Sequence, residues 1–154
     1  MPVKRWTSVL LLLLAAAVVA AFTLSLRSDD VATAPTPDEG AVRAALQPYL
    51  DGHAAGRGEV MAPAFFEEAR LSVVVDGQLH IGHAADYLAG WPGQPAPDEA
   101  DRQRWVESVT VVGDLALAEI ILLHPGLRIV DYMVMHRVDG DWKIVHKAYQ
   151  REPR

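Results

Sequence analysis

The chain predicts an α+β domain in which helices cover one face of a single sheet. Three observations carry that expectation. Helical spacing of apolar residues is confined to the stretch before residue 92, the last third is almost continuous β-branched and apolar sequence, and short glycine turns cut that last third into segments. Helices first and an antiparallel meander afterwards cannot interleave as βαβ units, so the helices must stack on the sheet as a layer.

A leader comes first. Val9 to Leu26 is an uncharged run of 18 residues, preceded by Lys4 and Arg5 and followed by Arg27, Asp29 and Asp30. Basic residues resist translocation, so this pattern inserts with its N-terminus on the cytoplasmic side and everything after Arg27 outside. The length meets the requirements of a spanning helix, and Val18-Val19-Ala20 before Ala21 would serve as a signal cleavage site. Residues 1–27 are therefore a signal peptide or a single-pass anchor, and the rest is secreted or held on the outer face of the cytoplasmic membrane. Residues 28–37, small, acidic or proline, read as a flexible linker.

At 154 residues with a hydrophobic fraction of 51%, the remainder has room for one ordered domain, residues 38–150. Zero cysteines remove disulfides, thiolate metal sites and a lipidated N-terminal cysteine. Without Lys4, Arg5 and Arg27 there are 11 basic against 20 acidic residues, a formal charge of −9. Such a surface repels phosphate backbones, which excludes nucleic acid as a partner.

Thr36, Pro37 and Glu39 fit the cap, first and third positions of a helix. Val42, Leu46, Tyr49, Leu50 and His53 then recur at three and four as one stripe, with a kink expected at Pro48 and an end at Gly52, Gly56 and Gly58. Glu59 to Glu68 reads as a second, shorter helix burying Met61, Phe65 and Phe66. Leu71 to Val75 is a strand, Asp76-Gly77 a hairpin turn, and Gln78 to Ile81 the returning strand. His83 to Trp91 reads as a third short helix, and Pro92 to Ala100 as a loop. Arg104–Val112, Leu115–Leu123, Leu127–Val138 and Asp141–Gln150 are the meander, parted by Gly113-Asp114, Pro125-Gly126 and Asp139-Gly140.

The run from Asp131-Tyr132 through Asp139-Gly140-Asp141-Trp142-Lys143-Ile144-Val145-His146-Lys147 resembles the closing hairpin of the nuclear transport factor 2-like superfamily, nearest the lumazine-binding (SnoaL-like) branch. Tyr49-Leu50-Asp51-Gly52 and Val112-Gly113-Asp114-Leu115-Ala116 fit as well, and His146 stands where that branch usually has asparagine. The resemblance implies a cone, a curved antiparallel sheet packed on about three N-terminal helices, with an apolar pocket for a small apolar or aromatic ligand and frequent homodimerisation through the open sheet face. It does not imply lumazine chemistry, because the superfamily includes isomerases, dehydratases, cyclases and non-catalytic binding domains.

The residues offer several candidates for the pocket. Across the last hairpin, a type I turn with a glycine bulge sets Asp131 opposite Lys147, whereas a two-residue turn sets Lys147 opposite Tyr132. The pair is either a pocket feature or an ordinary cross-strand ion pair. Asp131, His146 and Tyr132 are the catalytic candidates, with His136 and Tyr149 as further acid–base groups. Tyr49, Trp105, Glu119, Asp131, Met133 and Lys147 are the expected pocket residues. Glu119 interrupts an apolar strand and points either inward or to solvent; Trp105 serves as a wall. His80 and His83 lack a third ligand nearby, so no metal site is expected. Neither a dinucleotide glycine fingerprint nor a Gly-x-Ser-x-Gly elbow is present, and no cofactor is expected. Three functions follow: a binding or association domain with an apolar pocket, a small acid–base enzyme using Asp131 or a histidine, or a structural dimerisation module.

Overall fold

The computed structural model describes residues 36–154. The predicted leader, 1–27, and the linker as far as residue 35 lie outside the described residues. Among those described, no helix is long and apolar enough to cross a membrane.

Helix α1 (Pro37–Ala55) starts with the predicted capping box. The Thr36 hydroxyl accepts from the Glu39 N–H at 3.2 Å, and the Glu39 carboxylate accepts from the Thr36 N–H at 2.8 Å. The helix runs through Pro48 and stops at Gly56, whose φ of 65° is the left-handed turn that glycine adopts without strain. Val42, Leu46, Tyr49 and His53 are buried on one stripe, as the spacing requires. Gly52 is not a terminator. A Cβ there would sit 2.2 Å from Met61 Cγ, so the missing side chain lets the next turn of chain close against α1.

The second helix is much shorter than expected. Helix α2 (Gly58–Met61) gives way to a 3₁₀ turn, Ala62–Ala64, and Phe65 already begins strand β1 (Phe65–Val75). Pro63 suits the first turn of a helix but not its interior, so the chain turns extended two residues later. Phe65, Ala69 and Leu71 then face the core from a strand instead of a helix. Strand β2 (Gln78–His83) returns across a two-residue turn in which Asp76 and Gly77 both have positive φ, the hairpin geometry that Asp-Gly favours. Helix α3 (Ala84–Ala89) follows, then a loop and a 3₁₀ turn at Glu99–Asp101.

Strands β3 (Gln103–Val112), β4 (Leu115–His124), β5 (Leu127–Val138) and β6 (Asp141–Pro153) form the predicted meander. The six strands make one curved, unclosed sheet in the order β2-β1-β6-β5-β4-β3, with the helices on one side. The sheet is not wholly antiparallel, because β6 lies parallel to β1. The helical and loop segment between β2 and β3 carries the chain from one sheet edge to the other, so the last strand closes the gap beside the first.

Alternation decides which residues reach the core. On β4, Ala116, Ala118, Ile120 and Leu122 point inward and pack with Met133, Met135 and Ile144 against Val42, Leu46 and Tyr49 of α1. The opposite face leaves Val74, Leu79, Ile81, Val112, Leu117 and Tyr132 about half exposed or more.

The β5–β6 register departs from both expected forms. Val138 pairs with Asp141 and Met135 with Ile144, the two-residue turn, but Val134 pairs with His146. Val145 is therefore one extra residue in β6, and past it Met133 faces Lys147 and Asp131 faces Tyr149. Uninterrupted alternation from Trp142 and Ile144 would continue inward at His146 and Ala148. The bulge instead turns Lys147 and Tyr149 to the core face and puts His146 outside.

Candidate functional site

The interior of the cone holds a hydrogen-bonded cluster contributed by three elements. Helix α1 supplies Tyr49 and, one turn later, His53, whose rings meet edge to face 4.7 Å apart. β5 supplies Asp131 and β6 supplies Lys147. Helix α3 places Tyr87 over the same space, and Trp91 just beyond it packs edge to face on His53 at 4.6 Å and on Tyr87 at 5.8 Å.

Asp131 is fully buried and Lys147 nearly so. The Tyr49 hydroxyl donates to Asp131 Oδ2 at 2.5 Å, and the Lys147 ammonium donates to the Tyr49 oxygen at 2.6 Å and lies 3.2 Å from Asp131 Oδ2. The tyrosine rings 49, 87 and 149 each lie about 5 Å from Lys147 Nζ, so the cation also faces three aromatic surfaces. Asp131 Oδ1 is buried without a partner among the described residues.

Proton directions follow from these contacts. An ionised Asp131 can only accept, so Tyr49 gives it the hydroxyl proton, and the Tyr49 oxygen is left to accept. His53 Nε2, 2.9 Å from that oxygen, must then carry the hydrogen and donate. The same nitrogen is 3.1 Å from the Tyr87 hydroxyl, which therefore cannot donate to it and keeps its own proton for another acceptor.

The pKa shifts agree with this arrangement. Burial, reinforced by the Asp131 charge, holds the Tyr49 phenol well above its ordinary range, so it remains a donor. Burial also raises Tyr87. His53 is driven well below the usual histidine value, first by burial and then by the positive charges of Lys147 and Arg104, which keeps it neutral. Burial pushes the Lys147 ammonium down, against the pull of Asp131.

A cavity of about 180 Å³ opens beside the cluster. Leu122, Ile129 and Trp91 form apolar wall, Tyr87 and Tyr149 aromatic wall, and Lys147, His53, His124 and Arg151 bring the polar groups. Asp131 does not line it; it sits behind Lys147. Of the expected pocket residues, Lys147 alone lines this cavity; Tyr49 and Asp131 hydrogen-bond with it in the core, and Met133 is buried opposite it on β5. Trp105 and Glu119 line a shallow groove on the outer sheet face with Ile121 and Arg128. Tyr132, His136 and His146 also face outward, and His146 Nε2 is 2.9 Å from the Ser72 hydroxyl. The bulge at Val145 is the physical reason for His146. The sequence marks His53 and Tyr87 only as apolar helix positions and Trp91 as core or pocket wall, and the spacing of four, Tyr49 to His53 and Tyr87 to Trp91, is the available sign of a shared face. His80 and His83 stand on an exposed strand, with His83 against Arg70, and no group of three or more metal-ligating residues occurs among the described residues.

The fold and this site define a cone-shaped α+β domain of the nuclear transport factor 2-like superfamily. Within it, the chain belongs to the family described as "Putative lumazine-binding", which matches residues 37–150. A nuclear transport factor 2-like protein of unknown function from Shewanella baltica is 25% identical, superposes with a TM-score of 0.70, and shares 79% of this chain and 99% of its own. One from Methylobacillus flagellatus is 22% identical, with a TM-score of 0.67 over 78% of this chain and 96% of its own. A ketosteroid isomerase-like protein from Erwinia carotovora atroseptica shares the fold at 12% identity, with a TM-score of 0.53 over 75% of this chain and 96% of its own. No curated protein matches the chain.

Two outcomes follow for the cluster. Lys147→Met, which strands the Asp131 carboxylate in the core, should lower unfolding free energy by about 3–5 kcal/mol in urea denaturation, and Asp131→Leu added to it should recover most of that loss. His53 refuses in the folded state a proton that the unfolded chain accepts below about pH 6.5, so its contribution to stability is present above that pH and is lost on acidification. Between about pH 6.5 and 5 the fall should reach at most about 1.4 kcal/mol per unit, and His53→Asn should flatten it.

Proposed function

We propose that this chain is a non-catalytic small-molecule-binding domain, carried outside the cytoplasmic membrane by the hydrophobic segment 1–27 and working as a homodimer. The observation that carries the binding reading is the cavity beside Lys147, part apolar, part aromatic, with a few convergent polar groups. That combination suits a small ligand. Membership of the family and the shared fold support a ligand-binding domain in general terms. The leader pattern of Lys4 and Arg5 before an uncharged run supports export.

The acid–base enzyme reading is the weaker one. It asks for Asp131 or a histidine at the wall with a free proton-accepting atom. Asp131 does not line the cavity: its Oδ2 serves Tyr49 and Lys147, and its unpartnered Oδ1 is buried. His53 and His124 do line the cavity, but burial holds both below the usual histidine range, His53 well below it, and the Nε2 hydrogen of His53 is given to Tyr49, so both are weak bases.

The homodimer reading rests on the outer sheet face. Val112 and Leu117 on neighbouring strands, with Tyr132 beside them, form an apolar surface that a second copy would cover.

A fragment screen followed by protein NMR tests the cavity. Binders should move the resonances of Trp91 and Ile129, and Ile129→Phe, which fills the space, should abolish binding without unfolding the protein. A screen without cavity binders, or undiminished binding by the filled variant, would end the reading. For the dimer, sedimentation velocity should give twice the chain mass, falling to the monomer on Leu117→Lys; a monomeric parent refutes it.

A further inference from the structure

We propose that the cavity takes a small aromatic monoanion, one ring bearing a carboxylate or an equivalent acid, with the acid held by Arg151 and Lys147 and the ring against Trp91, Leu122 and Ile129. This rests on the ligand-binding reading and names its class of ligand.

The charge of the lining is the first argument. Lys147 and Arg151 reach the cavity, and no aspartate or glutamate lines it. The domain outside the leader is strongly acidic, so composition alone would deliver carboxylates there. The acid closest to the site, Asp131, is screened from the cavity by the ammonium that it partners.

Donor accounting is the second. A lysine ammonium carries three N–H groups. One goes to the Tyr49 oxygen and one is directed at Asp131, which leaves a third for a ligand. The Arg151 guanidinium lies 5.6 Å from the Tyr149 ring and forms no ion pair among the described residues. Two cationic donors, Lys147 and Arg151, thus line one cavity without a carboxylate on its wall, and an acid group supplies acceptors for both.

Shape is the third argument. A volume of about 180 Å³ is of the order that holds a single six-membered ring with a small substituent. Leu122, Ile129 and Trp91 offer that ring apolar contact. An inorganic anion would leave this wall against water, and a neutral ring would leave the third Lys147 N–H and the Arg151 guanidinium without an acceptor on the ligand.

The test is an NMR titration of the full chain with sodium benzoate and with benzamide, its uncharged isostere, at matched ionic strength. Benzoate should move Trp91 and Ile129 and bind at least about tenfold more tightly than benzamide, and Arg151→Met should erase that ratio. Benzamide binding in the cavity as tightly as benzoate overturns the anion assignment and leaves the ligand-binding reading standing. A cavity that answers to neither compound, but to fragments of another kind, overturns the assignment alone; one that answers to no fragment overturns both.

Discussion

The ammonium of Lys147 is enclosed by the carboxylate of Asp131, the hydroxyl of Tyr49 and three aromatic rings. Removing two charges from water costs several kcal/mol each, and only close pairing with further hydrogen bonds offsets that. The helix, the two strands and the cavity are arranged around this constraint. Tyr49 must stand on the stripe of α1 that faces the sheet, Asp131 must point inward from β5, and β6 must bring a lysine to the same level. Each requirement is local, yet all three have to hold together, because any one partner missing strands another in the core.

One additional residue makes this possible. Val145 breaks the alternation of β6 between Ile144 and Lys147. The half of the strand near the turn buries Trp142 and Ile144 as an ordinary apolar strand would, and the half beyond it buries Lys147 and half-buries Tyr149. The same shift sends His146 outward to Ser72. A single bulge therefore sorts two adjacent basic residues, one into the core and one onto the outer face. The cavity inherits its positive character from that sorting, and the outer face keeps its apolar strand residues.

Much of the fold was legible because its signals are local. The Thr36 cap, the Val42 to His53 stripe, the Asp76-Gly77 hairpin and the four final strands all depend on contacts within a few residues, and all form. The second helix failed because Pro63 ends helical structure just where Phe65 and Phe66 looked like a buried helical pair. The parallel pairing of β6 with β1 joins residues some eighty positions apart and leaves no local trace. Within the site, the hairpin and cross-strand pairing pointed to Asp131 and Lys147 and the helical stripe to Tyr49, and these three form the buried cluster, with Lys147 alone of the expected pocket residues on the cavity wall. Asp131 and Lys147 meet by a different register from the one considered, since a bulge in mid-strand has no turn residue to announce it. Trp105 and Glu119 stood among the expected pocket residues, Glu119 with solvent as its equal alternative, because an acid among apolar neighbours has no single preferred face; the alternation of β3 and β4 places both on the other face. His53 and Tyr87 went unremarked as polar groups because each lies on an otherwise apolar helical stripe.

The enclosure of the Lys147 ammonium is the claim on which this account turns, and its proton exchange reports on it directly. With only three lysines in the sequence, at positions 4, 143 and 147, ¹⁵N-detected NMR of the side-chain ammonium groups can separate them. The Lys147 signal should persist at neutral pH, exchange far more slowly than that of Lys143, and show a through-space contact to the Tyr49 hydroxyl proton. A Lys147 ammonium that exchanges with water as quickly as Lys143, with no contact to Tyr49, would contradict the buried pairing and the cavity built beside it.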